Sequence, residues 1–421
     1  MPARLRPGLA IVARLREAGW ETYLVGGVVR DLLLGRIPAD LDIVTAAPPE
    51  VVASCFDRTV PVGAEFGVVA VIVDGHPYQV ATFRTEGPYL DGRRPASVAS
   101  ADAASDVLRR DFTINALLYD PAANEVIDHV GGLPDLERRV IRTVGDPTVR
   151  FAEDRLRLLR AVRLGAELGF SIEEGTLQAL GALAQTVTSV SRERIRDELV
   201  RLLVAPGRAE GVRVLQQTGL LAAVLPEVAG PEEVARACRT LHRLTRPSPM
   251  LAVAALLLPV GSAERATAIC RRLRFSNVEV RAVAGLVAGY GRVPEIPTMR
   301  AGALKTLLDR VDPADLLELY RVETAARGGD LAAYRRAAEA LVARSGVRRP
   351  ALGLLSGDDL MALGYRPGPG FSAILEAVEE ARARGEIVTR DEARAWVLAR
   401  WPAGAPPPLA EGSRRLRSGP G

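Results

Sequence analysis

The sequence predicts an α+β protein with an N-terminal α/β head, which carries a mixed sheet, and an all-helical remainder. Two observations predict this division. Short runs rich in β-branched residues lie in the first third of the chain, where they alternate with helical stretches and Gly/Pro turns. From about Asp146 onward such runs fade, and long Leu, Ala and Arg segments with helical periodicity replace them.

These patterns also place individual elements. Strands are predicted at Thr22 to Val25, Leu41 to Thr45, Val68 to Val73 and Tyr78 to Phe83. Helices are predicted at Glu153 to Leu168, Arg192 to Leu203 and Pro231 to Leu244, among others. The stretch from Arg344 to Pro350 is typical of a linker, and the Pro run and basic end of Pro402 to Gly421 predict a disordered tail.

Composition is that of an ordinary globular protein, with 421 residues of which 48% are hydrophobic and 25% are charged. The apolar run from Leu251 to Val260 is far shorter than the ~20 residues of a membrane span. Arginines interrupt the apolar N-terminus, so no secretory signal is indicated and a cytoplasmic location is expected. The widely spaced cysteines predict neither a disulfide framework nor a zinc site.

The basic residues are almost all arginine, because Lys305 is the single lysine. The net charge is +4 and the pI is about 9.2. Arginine donates in a fixed fork that suits phosphates, so this balance permits nucleic-acid binding. A genome of high GC content would also favour arginine over lysine, and charge alone does not decide between the two explanations.

The first candidate site runs from Leu24 to Asp31, as Leu-Val-Gly-Gly-Val-Val-Arg-Asp. A strand that ends at Gly26 and Gly27 and continues into a helix leaves backbone N–H groups free to bind an anion. The glycines also let a phosphate approach the main chain. A Gly pair after a strand is often only a tight turn, so the segment is informative together with its neighbours.

Two carboxylates lie on the next predicted strand. Asp40 and Asp42 alternate around Leu41, so they are predicted to point to the same face. Such a pair is commonly two solvated loop acids. After a Gly-Gly turn and a helix, however, it places a hard-cation site beside a triphosphate cradle, and Mg²⁺ prefers one or two carboxylates plus substrate phosphates.

This order of parts resembles the polymerase β superfamily of nucleotidyltransferases. The resemblance implies in-line attack of a hydroxyl on the α-phosphate of a nucleoside triphosphate. Two metal ions would stabilise the attacking and leaving oxygens, and pyrophosphate would be released.

Further motifs resemble those of class II tRNA nucleotidyltransferases, which are CCA-adding enzymes, and of the related bacterial poly(A) polymerases. The matching motifs are a sugar-contacting segment at Arg109 to Ala116, a hinge at Asp128 to Asp135, an EDxxR base-selecting helix at Glu153 to Arg163 and its bracing helix at Ser191 to Leu199. The resemblance implies catalytic metal ligands at Asp40 and Asp42. The implied nucleotide-binding residues are Gly26, Gly27, Arg30, Arg110, Asp111, Asn115, Asp154, Arg157, Arg160 and Arg163.

The base-selecting motif also has a physical interpretation. Cytosine and adenine both present an amino donor beside a ring-nitrogen acceptor, whereas uracil and guanine present the reverse. A carboxylate and a guanidinium complement the first pair, and Asp154 and Arg157 are predicted to lie three apart on one helical face. The alternative is a routine surface ion pair, with Arg160 and Arg163 as a solvated stripe.

One position departs from the resemblance. Relatives usually carry a third carboxylate where this chain has Gln79, in the strand before Phe83. Either Asp40 and Asp42 hold both metal ions unaided, which we favour, or the chain is a catalytically weak RNA-binding module.

Several activities compete within this resemblance. The segment from Thr85 to Leu108 looks like the flexible loop of enzymes that add the terminal A, which disfavours an enzyme that adds only CC. Poly(A) polymerases typically have Pro where this chain has Arg155, and the C-terminal segments resemble the tails of tRNA enzymes. Full CCA addition is therefore favoured over A-only addition, and A-only addition over poly(A) synthesis. The residues in question are Tyr89, Asp91, Arg93, Arg94 and Pro95 in the loop, and Leu355 to Leu360 with Gly364 to Gly370 in the tail.

The expected organisation is a nucleotidyltransferase head over 1–142, a helical neck over 143–210, a body over 211–349 and a tail over 350–401. The helical part is expected to bind tRNA through backbone phosphates and shape, because duplex RNA offers little sequence in its narrow major groove. The Arg-rich segment from Ala381 to Arg400 is a candidate for this contact. CTP and ATP are the expected substrates and Mg²⁺ the expected cofactor, and no membrane or protein partner is indicated.

Overall fold

The computed structural model of the chain describes residues 5–38, 40–62, 67–87, 89, 96–345, 354–365, 369–383 and 386–402. The chain divides into two compact units, Met1–Val224 and Leu225–Gly421. The division into head, neck, body and tail that the sequence predicts is finer than these two units and stays a prediction.

The first unit contains a seven-stranded sheet in the order β3-β4-β5-β2-β1-β8-β9, and two small two-stranded sheets, β6-β7 and β10-β11. The strands are β1 Thr22–Val25, β2 Asp42–Thr45, β3 Thr59–Pro61, β4 Val68–Val73, β5 His76–Thr82, β6 Arg84–Glu86, β7 Val98–Ser100, β8 Leu118–Asp120, β9 Glu125–Ile127, β10 Val140–Ile141 and β11 Ser171–Ile172.

Strand β2 lies in the middle of the large sheet and makes that sheet mixed. It pairs antiparallel with β1, where Val25 faces Asp42, and parallel with β5, where Asp42 faces Gln79. The remaining pairs in this sheet are antiparallel. This confirms the mixed sheet that the sequence predicts for the head.

The described part of the first unit also contains eleven α-helices. They are α1 Leu5–Glu17, α2 Gly27–Leu33, α3 Pro49–Cys55, α4 Ala103–Leu108, α5 Gly132–Arg138, α6 Pro147–Glu153, α7 Arg157–Leu168, α8 Glu174–Leu183, α9 Arg192–Val204, α10 Arg208–Gln217 and α11 Leu220–Val224. Helices α1, α2 and α3 contact strands of the large sheet. Phe83, Val107 and Leu118 form part of a core that anchors the sheet to α4, and all three side chains are buried.

The second unit is helical throughout the part of it that the structure describes. Its helices are α12 Pro231–Arg243, α13 Pro249–Leu257, α14 Ala263–Arg272, α15 Asn277–Tyr290, α16 Ala301–Leu308, α17 Pro313–Ala326, α18 Ala332–Ser345, α19 Gly357–Ala362, α20 Pro369–Ala383 and α21 Arg390–Arg400. Helix α13 is buried at every position from Leu251 to Leu257, as expected for a helix that is apolar on all sides. The confirmed α+β class therefore comprises a head with a mixed sheet and a helical remainder.

The apolar run from Leu251 to Val260 is the strongest membrane candidate by sequence. It covers most of α13 and the 3-10 turn that follows, and it belongs to the buried core of the second unit. Within the described ranges, no helix combines the length and the apolar character that crossing a bilayer requires.

The structure corrects some of the predicted elements. The helix predicted from Glu153 to Leu168 is two helices, because α6 ends at Glu153 and α7 begins at Arg157. A strand, β11, also occurs after Asp146 in a region predicted to be all helical, where it pairs with β10.

Several sequence predictions fall partly or wholly outside the described residues. Asp91, Arg93, Arg94 and Pro95 of the predicted loop lie outside them, as do residues 346–350 of the predicted linker. The same holds for residues 366–368 of the predicted tail motif, for residues 384–385 of the Arg-rich segment and for residues 403–421 of the C-terminal end.

Candidate active site

A cleft of about 580 Å³ opens in the first unit, a volume within the usual range for small-molecule sites. It brings together most of the site residues predicted from the sequence, whereas Asp154 and Arg157 are absent from its lining. The lining residues are Gly26, Gly27, Val28, Arg30, Asp31, Arg36, Ile37, Asp40, Asp42, Arg110, Asp111, Asn115, Arg160, Arg163, Leu164, Glu167, Leu168 and Arg201.

Gly26 connects β1 to α2 at one wall of the cleft. Its φ of 82° lies in the left-handed region, which glycine adopts without steric cost. A β-carbon at this position would lie 3.6 Å from Nη1 of Arg110 and 3.8 Å from Oδ2 of Asp42. The absence of a side chain therefore leaves space beside a guanidinium and a carboxylate, as a ligand that approaches the main chain requires.

Asp40 and Asp42 both line the cleft and are exposed there, while Leu41 between them is buried. Asp42 is the first residue of β2, and Asp40 lies just before the strand. Protein atoms around the cleft partly desolvate Asp42 and raise its pKa; Arg110 opposes this shift and the like charge of Asp40 adds to it. The two carboxylates thus form a repulsive pair that a cation would relieve.

Gln79 lies beside Asp42 in the parallel pairing of β2 with β5, and both side chains are exposed. Residues directly opposite each other on neighbouring strands share a face of the sheet. Gln79 is therefore placed next to the carboxylate pair but brings an uncharged amide. Within the described ranges, no cluster of three or more His, Cys, Asp or Glu side chains could hold a metal ion.

Arg110 is held against the cleft by Asp106. The carboxylate of Asp106 is fully buried and accepts hydrogen bonds from Arg109 at 2.7 Å and from Arg110 at 3.0 Å. Burial lowers the pKa of Arg110, while Asp106 and Asp42 act in the opposite direction. The buried Nε of Arg110 has no hydrogen-bond partner among the described residues, while its Nη1 lies beside the Gly26 turn.

A chain of hydrogen bonds connects α2 to α7 across the cleft. Arg30 donates to Oδ1 of Asn115 at 2.6 Å, and Asn115 donates to Asp111 at 3.3 Å. Asp111 accepts from Nη2 and Nε of Arg160 at 2.5 and 3.0 Å. Burial alone would raise the pKa of Asp111, but the charge of Arg160 lowers it to about 2. Asp111 is therefore a fixed anion at neutral pH.

Glu198 of α9 forms ion pairs with two arginines of α7. Arg163 is buried and pairs with Glu198 and with Glu167, while Nη1 of Arg160 lies 4.0 Å from Glu198. The interpretation of Arg160 and Arg163 as a solvated stripe is thus wrong, because both are engaged in ion pairs at or beneath the cleft.

The prediction that Asp154 and Arg157 share one helical face is wrong. Asp154 follows the end of α6 with an extended backbone, φ −133° and ψ 103°, and Arg157 is the first residue of α7. Oδ1 of Asp154 accepts from the N–H of Leu156 at 3.1 Å, and such local hydrogen bonds compete with helix formation.

The two residues also have separate partners. Asp154 accepts from Arg194 at 2.9 Å. Arg157 is buried and donates to Glu153 at 2.7 Å and to the backbone oxygens of Arg150 and Arg109 at 3.0 and 3.2 Å. The alternative of a routine surface ion pair between Asp154 and Arg157 is therefore wrong as well.

The sequence analysis missed several residues around the cleft. Asp106 had a usable signal, since Arg109 and Arg110 follow it at the i+3 and i+4 positions of a helix and its end. Glu198 lies in the predicted bracing helix but was not singled out. Arg36 and Ile37 precede Asp40 in sequence without a recognisable pattern, and only the tertiary fold brings Arg201 to the cleft.

Comparison with known proteins gives consistent matches. Residues 22–142 match the family model described as "Poly A polymerase head domain", and residues 169–230 match the one described as "Probable RNA and SrmB- binding site of polymerase A". The chain is similar to a CCA-adding enzyme of Lactobacillus johnsonii, with 37% identity over 75% of this chain and 80% of the relative. It is 35% identical to a CCA-adding enzyme of Streptococcus gordonii over 92% of this chain and 95% of the relative.

A solved structure is similar over nearly the whole length. It is the crystal structure of the Bacillus stearothermophilus CCA-adding enzyme in complex with CTP, with a TM-score of 0.68, 30% identity and coverage of 95% of this chain and 98% of that one. Because relatives above 30% identity match over most of their length, this chain belongs to the family of CCA-adding enzymes, the class II tRNA nucleotidyltransferases.

Proposed function

We propose that this protein adds C, C and A to the 3′ end of tRNA from CTP and ATP, without a nucleic-acid template and with release of pyrophosphate. The observation that carries the proposal is one cleft that joins an acidic pair, Asp40 and Asp42, to the Gly26 turn and to Arg110. This arrangement suits the transfer of a nucleotide from a triphosphate to a hydroxyl. The names of the relatives support tRNA as the acceptor.

Asp40 and Asp42 would hold Mg²⁺ in this reaction. The two exposed carboxylates fit a hard cation. The pKa of Asp42 is raised first by desolvation and also by the negative charge of Asp40, and a bound cation would relieve this repulsion. When bound, two metal ions would stabilise the attacking 3′-oxygen and the leaving oxygen of an in-line displacement. Gln79 can offer a neutral oxygen beside them, so Asp40 and Asp42 supply the negative charge.

Arg110 and Arg30 would bind the triphosphate. Arg110 has a buried Nε without a partner among the described residues, and its Nη1 faces the space above Gly26. A phosphate oxygen at this point would accept a hydrogen bond from Nη1 of Arg110. Gly26 and Gly27 leave the main chain open to the same group, and Arg30 lies alongside.

Asp111 and Asn115 would contact the sugar. Asp111 is kept ionised by Arg160, and Asn115 is oriented by Arg30 on one side and Asp111 on the other. Acceptor oxygens in fixed positions suit ribose hydroxyl donors. Arg160 and Arg163 would serve this contact by holding Asp111 and the α7 helix in place.

Asp154 and Arg157 would select the base. The pKa of Arg160, which lines the cleft, is raised chiefly by Asp111 and to a smaller extent by Glu198 and Asp154, so Asp154 interacts electrostatically with a residue of the cleft. Arg157 is held by Glu153 and by two backbone oxygens, which fixes the orientation of its guanidinium. Base binding would require Asp154 to exchange its bond with Arg194 for one with the amino group of C or A. It would also require Arg157, which is buried and does not line the cleft, to exchange one of its present partners for the base.

The decisive experiment uses tRNA transcripts that lack CCA, CA or A, each incubated with Mg²⁺ and with CTP or ATP alone or together. Full CCA addition predicts that CTP extends the first two acceptors and ATP the third. An A-only enzyme would extend the third acceptor alone, and a poly(A) polymerase would add many A residues to an unrelated RNA. Binding of tRNA without incorporation would indicate a catalytically weak RNA-binding module.

A further inference from the structure

The cleft extends beyond the residues that the proposed reaction assigns to the incoming nucleotide. Arg36 and Ile37, in the segment that joins α2 to β2, line it together with Glu167 and Leu168 at the end of α7 and Arg201 of α9. These five residues are called the second part of the cleft below. None of them is among the site residues that the sequence analysis predicted.

Glu167 connects this second part. Nη1 of Arg36 donates to the backbone oxygen of Glu167 at 3.4 Å, and Nε of Arg201 lies 3.5 Å from the Glu167 carboxylate. The Arg201 side chain remains 58% exposed. The Glu167 carboxylate thus pairs with Arg201 and with Arg163, while Arg36 binds the Glu167 backbone oxygen, so three guanidinium groups outweigh the single negative charge of Glu167.

Ile37 gives this part of the cleft an apolar surface. It is 80% exposed, more than any other large hydrophobic residue in the described part of the chain. A single exposed apolar residue is ordinary on a protein surface. Ile37, however, lines a cleft and stands three positions before Asp40, so a group packed on it would lie close to the carboxylate pair.

Besides the incoming nucleotide, the reaction needs a second nucleotide close to the two carboxylates. The 3′-hydroxyl that attacks belongs to the last nucleotide of the RNA acceptor, and its base and its phosphate must lie near Asp40 and Asp42 together with the hydroxyl. An aliphatic side chain has no donor or acceptor with which to distinguish bases. This property suits an acceptor whose last base changes as each nucleotide is added.

We propose that the second part of the cleft binds the 3′-terminal nucleotide of the RNA acceptor, with Ile37 packed against its base and Arg36 and Arg201 beside its phosphate. This inference rests on the function proposed above and adds to it the position of the acceptor end. It predicts that Ile37 contributes to use of the acceptor and not to binding of the incoming nucleotide.

The test measures kcat/KM with ATP and a tRNA acceptor that ends in CC, for the unaltered protein and for Ile37→Ala. We expect kcat/KM for the acceptor to fall about tenfold, which corresponds to losing part of the apolar contact of a branched side chain, while KM for ATP is unchanged. Val60→Ala is the matched control, because Val60 is 46% exposed and does not line the cleft. Arg201→Ala should act in the same direction, with Arg213→Ala on α10 as its control.

A second acceptor, with an abasic residue at its 3′ end, identifies the contact. For the unaltered protein, kcat/KM should be lower with this abasic acceptor than with the ordinary one. On the abasic acceptor, Ile37→Ala should lower kcat/KM little further, because the missing base and the missing side chain remove the same contact. Equal losses from Ile37→Ala on both acceptors, or a raised KM for ATP, would overturn the inference. If the unaltered protein extends no tRNA acceptor at all, the proposed function itself fails, and that outcome is distinguishable from the others.

Discussion

At the scale of single residues, the ionised form of Asp42 that the proposed reaction needs is unfavourable for the stability of the fold. Asp42 has a raised pKa because the fold partly desolvates it beside Asp40, with Arg110 opposing the shift. A group whose folded-state pKa is above its unfolded value contributes stability that is fully present below the unfolded pKa and is lost as pH rises through the folded pKa. At neutral pH the ionised Asp42 therefore destabilises the fold, and a bound cation would offset this effect.

Replacing either carboxylate with its amide separates the two effects. Asp40→Asn or Asp42→Asn should abolish nucleotide incorporation, because the amide does not supply the negative charge that holds Mg²⁺. In metal-free buffer at pH 7, the melting temperature of Asp42→Asn should equal or exceed that of the unaltered protein. Substantial incorporation by either variant at saturating Mg²⁺ would refute the assignment, and a loss of melting temperature in Asp42→Asn would refute its electrostatic basis.

The raised pKa of Asp42 also predicts an acid limit of activity. Asp42 should take up a proton at a higher pH than an ordinary aspartate, and protonation would remove a metal ligand. Since metal and proton compete for the same oxygens, raising the Mg²⁺ concentration should move the acid limb of kcat/KM to lower pH. An acid limb that is independent of Mg²⁺ would assign the limb to another group. Asp111, with a pKa of about 2, stays ionised throughout this range.

Base selection is the third property that depends on single residues. Asp154→Ala should lower incorporation of CTP and ATP together and reduce discrimination against UTP and GTP by roughly one to two orders of magnitude, as a charge-assisted hydrogen bond of ~1.5–3 kcal/mol implies. Arg157→Ala should behave similarly. Arg160→Ala should weaken all four nucleotides without changing their ranking, and it serves as the control. The measurement is kcat/KM for each nucleotide on matched tRNA acceptors, and unchanged discrimination in Asp154→Ala would exclude the base-selecting role.

At the scale of elements, the sequence predicted the strands that carry the site well. The strand from Thr22 to Val25 and the strand from Val68 to Val73 have the predicted bounds, and β2 begins one residue later than predicted. The bounds of these strands are predictable because residue periodicity and the Gly-Gly turn depend only on residues close together in sequence. The break between α6 and α7 was not predicted, because helical periodicity continues across it and the hydrogen bond from Leu156 to Asp154 that accompanies it involves a common residue type.

A buried ion-pair cluster connects two elements of the second unit. Glu318 of α17 accepts hydrogen bonds from Arg321 at 2.8 Å and from Arg382 of α20 at 3.0 Å, and all three side chains are buried. Burial would raise the pKa of Glu318, but the two arginines lower it overall. The stability that this group contributes is present above its unfolded pKa of about 4.3 and is lost as pH falls toward the lower folded value.

Removal of this carboxylate should destabilise the second unit. Glu318→Ala leaves two buried guanidinium groups without their shared partner, and breaking a buried pair in this way typically costs roughly 3–5 kcal/mol. Glu210→Ala is the control, because its pair with Arg213 is exposed on both sides and should contribute less than about 1 kcal/mol. Urea unfolding followed by circular dichroism measures both variants. Equal effects of the two changes would show that the buried cluster adds no stability beyond a surface pair.

At the scale of the whole molecule, sequence motifs located the catalytic end of the chain and left the rest of the substrate-binding surface undefined. Asp40, Asp42 and the Gly26 turn are recognisable because short spacings place them together. Arg36 and Ile37 are neighbours in the segment that joins α2 to β2, whereas Arg201 of α9 is distant in sequence, so spacing does not predict that the three residues line one cleft. The helical regions have the same limitation, because contacts to RNA phosphates require arginines on a shared surface but no fixed motif.

The remaining prediction therefore concerns the whole chain. With 55 Lys and Arg against 51 Asp and Glu, the net charge is small, and strong tRNA binding requires that arginines be concentrated where phosphates lie. Each phosphate that is neutralised releases counterions, so log K for tRNA should fall linearly with log salt, by about 0.7–0.9 per phosphate contact. Filter binding or fluorescence titration between 50 and 200 mM KCl at fixed Mg²⁺ measures this slope.

The control is KM for ATP, measured over the same salt range with saturating tRNA. It should change far less, because the phosphates of ATP would lie in a partly enclosed cleft beside bound metal. A flat response of tRNA affinity would show that the helical regions do not bind RNA through its phosphates.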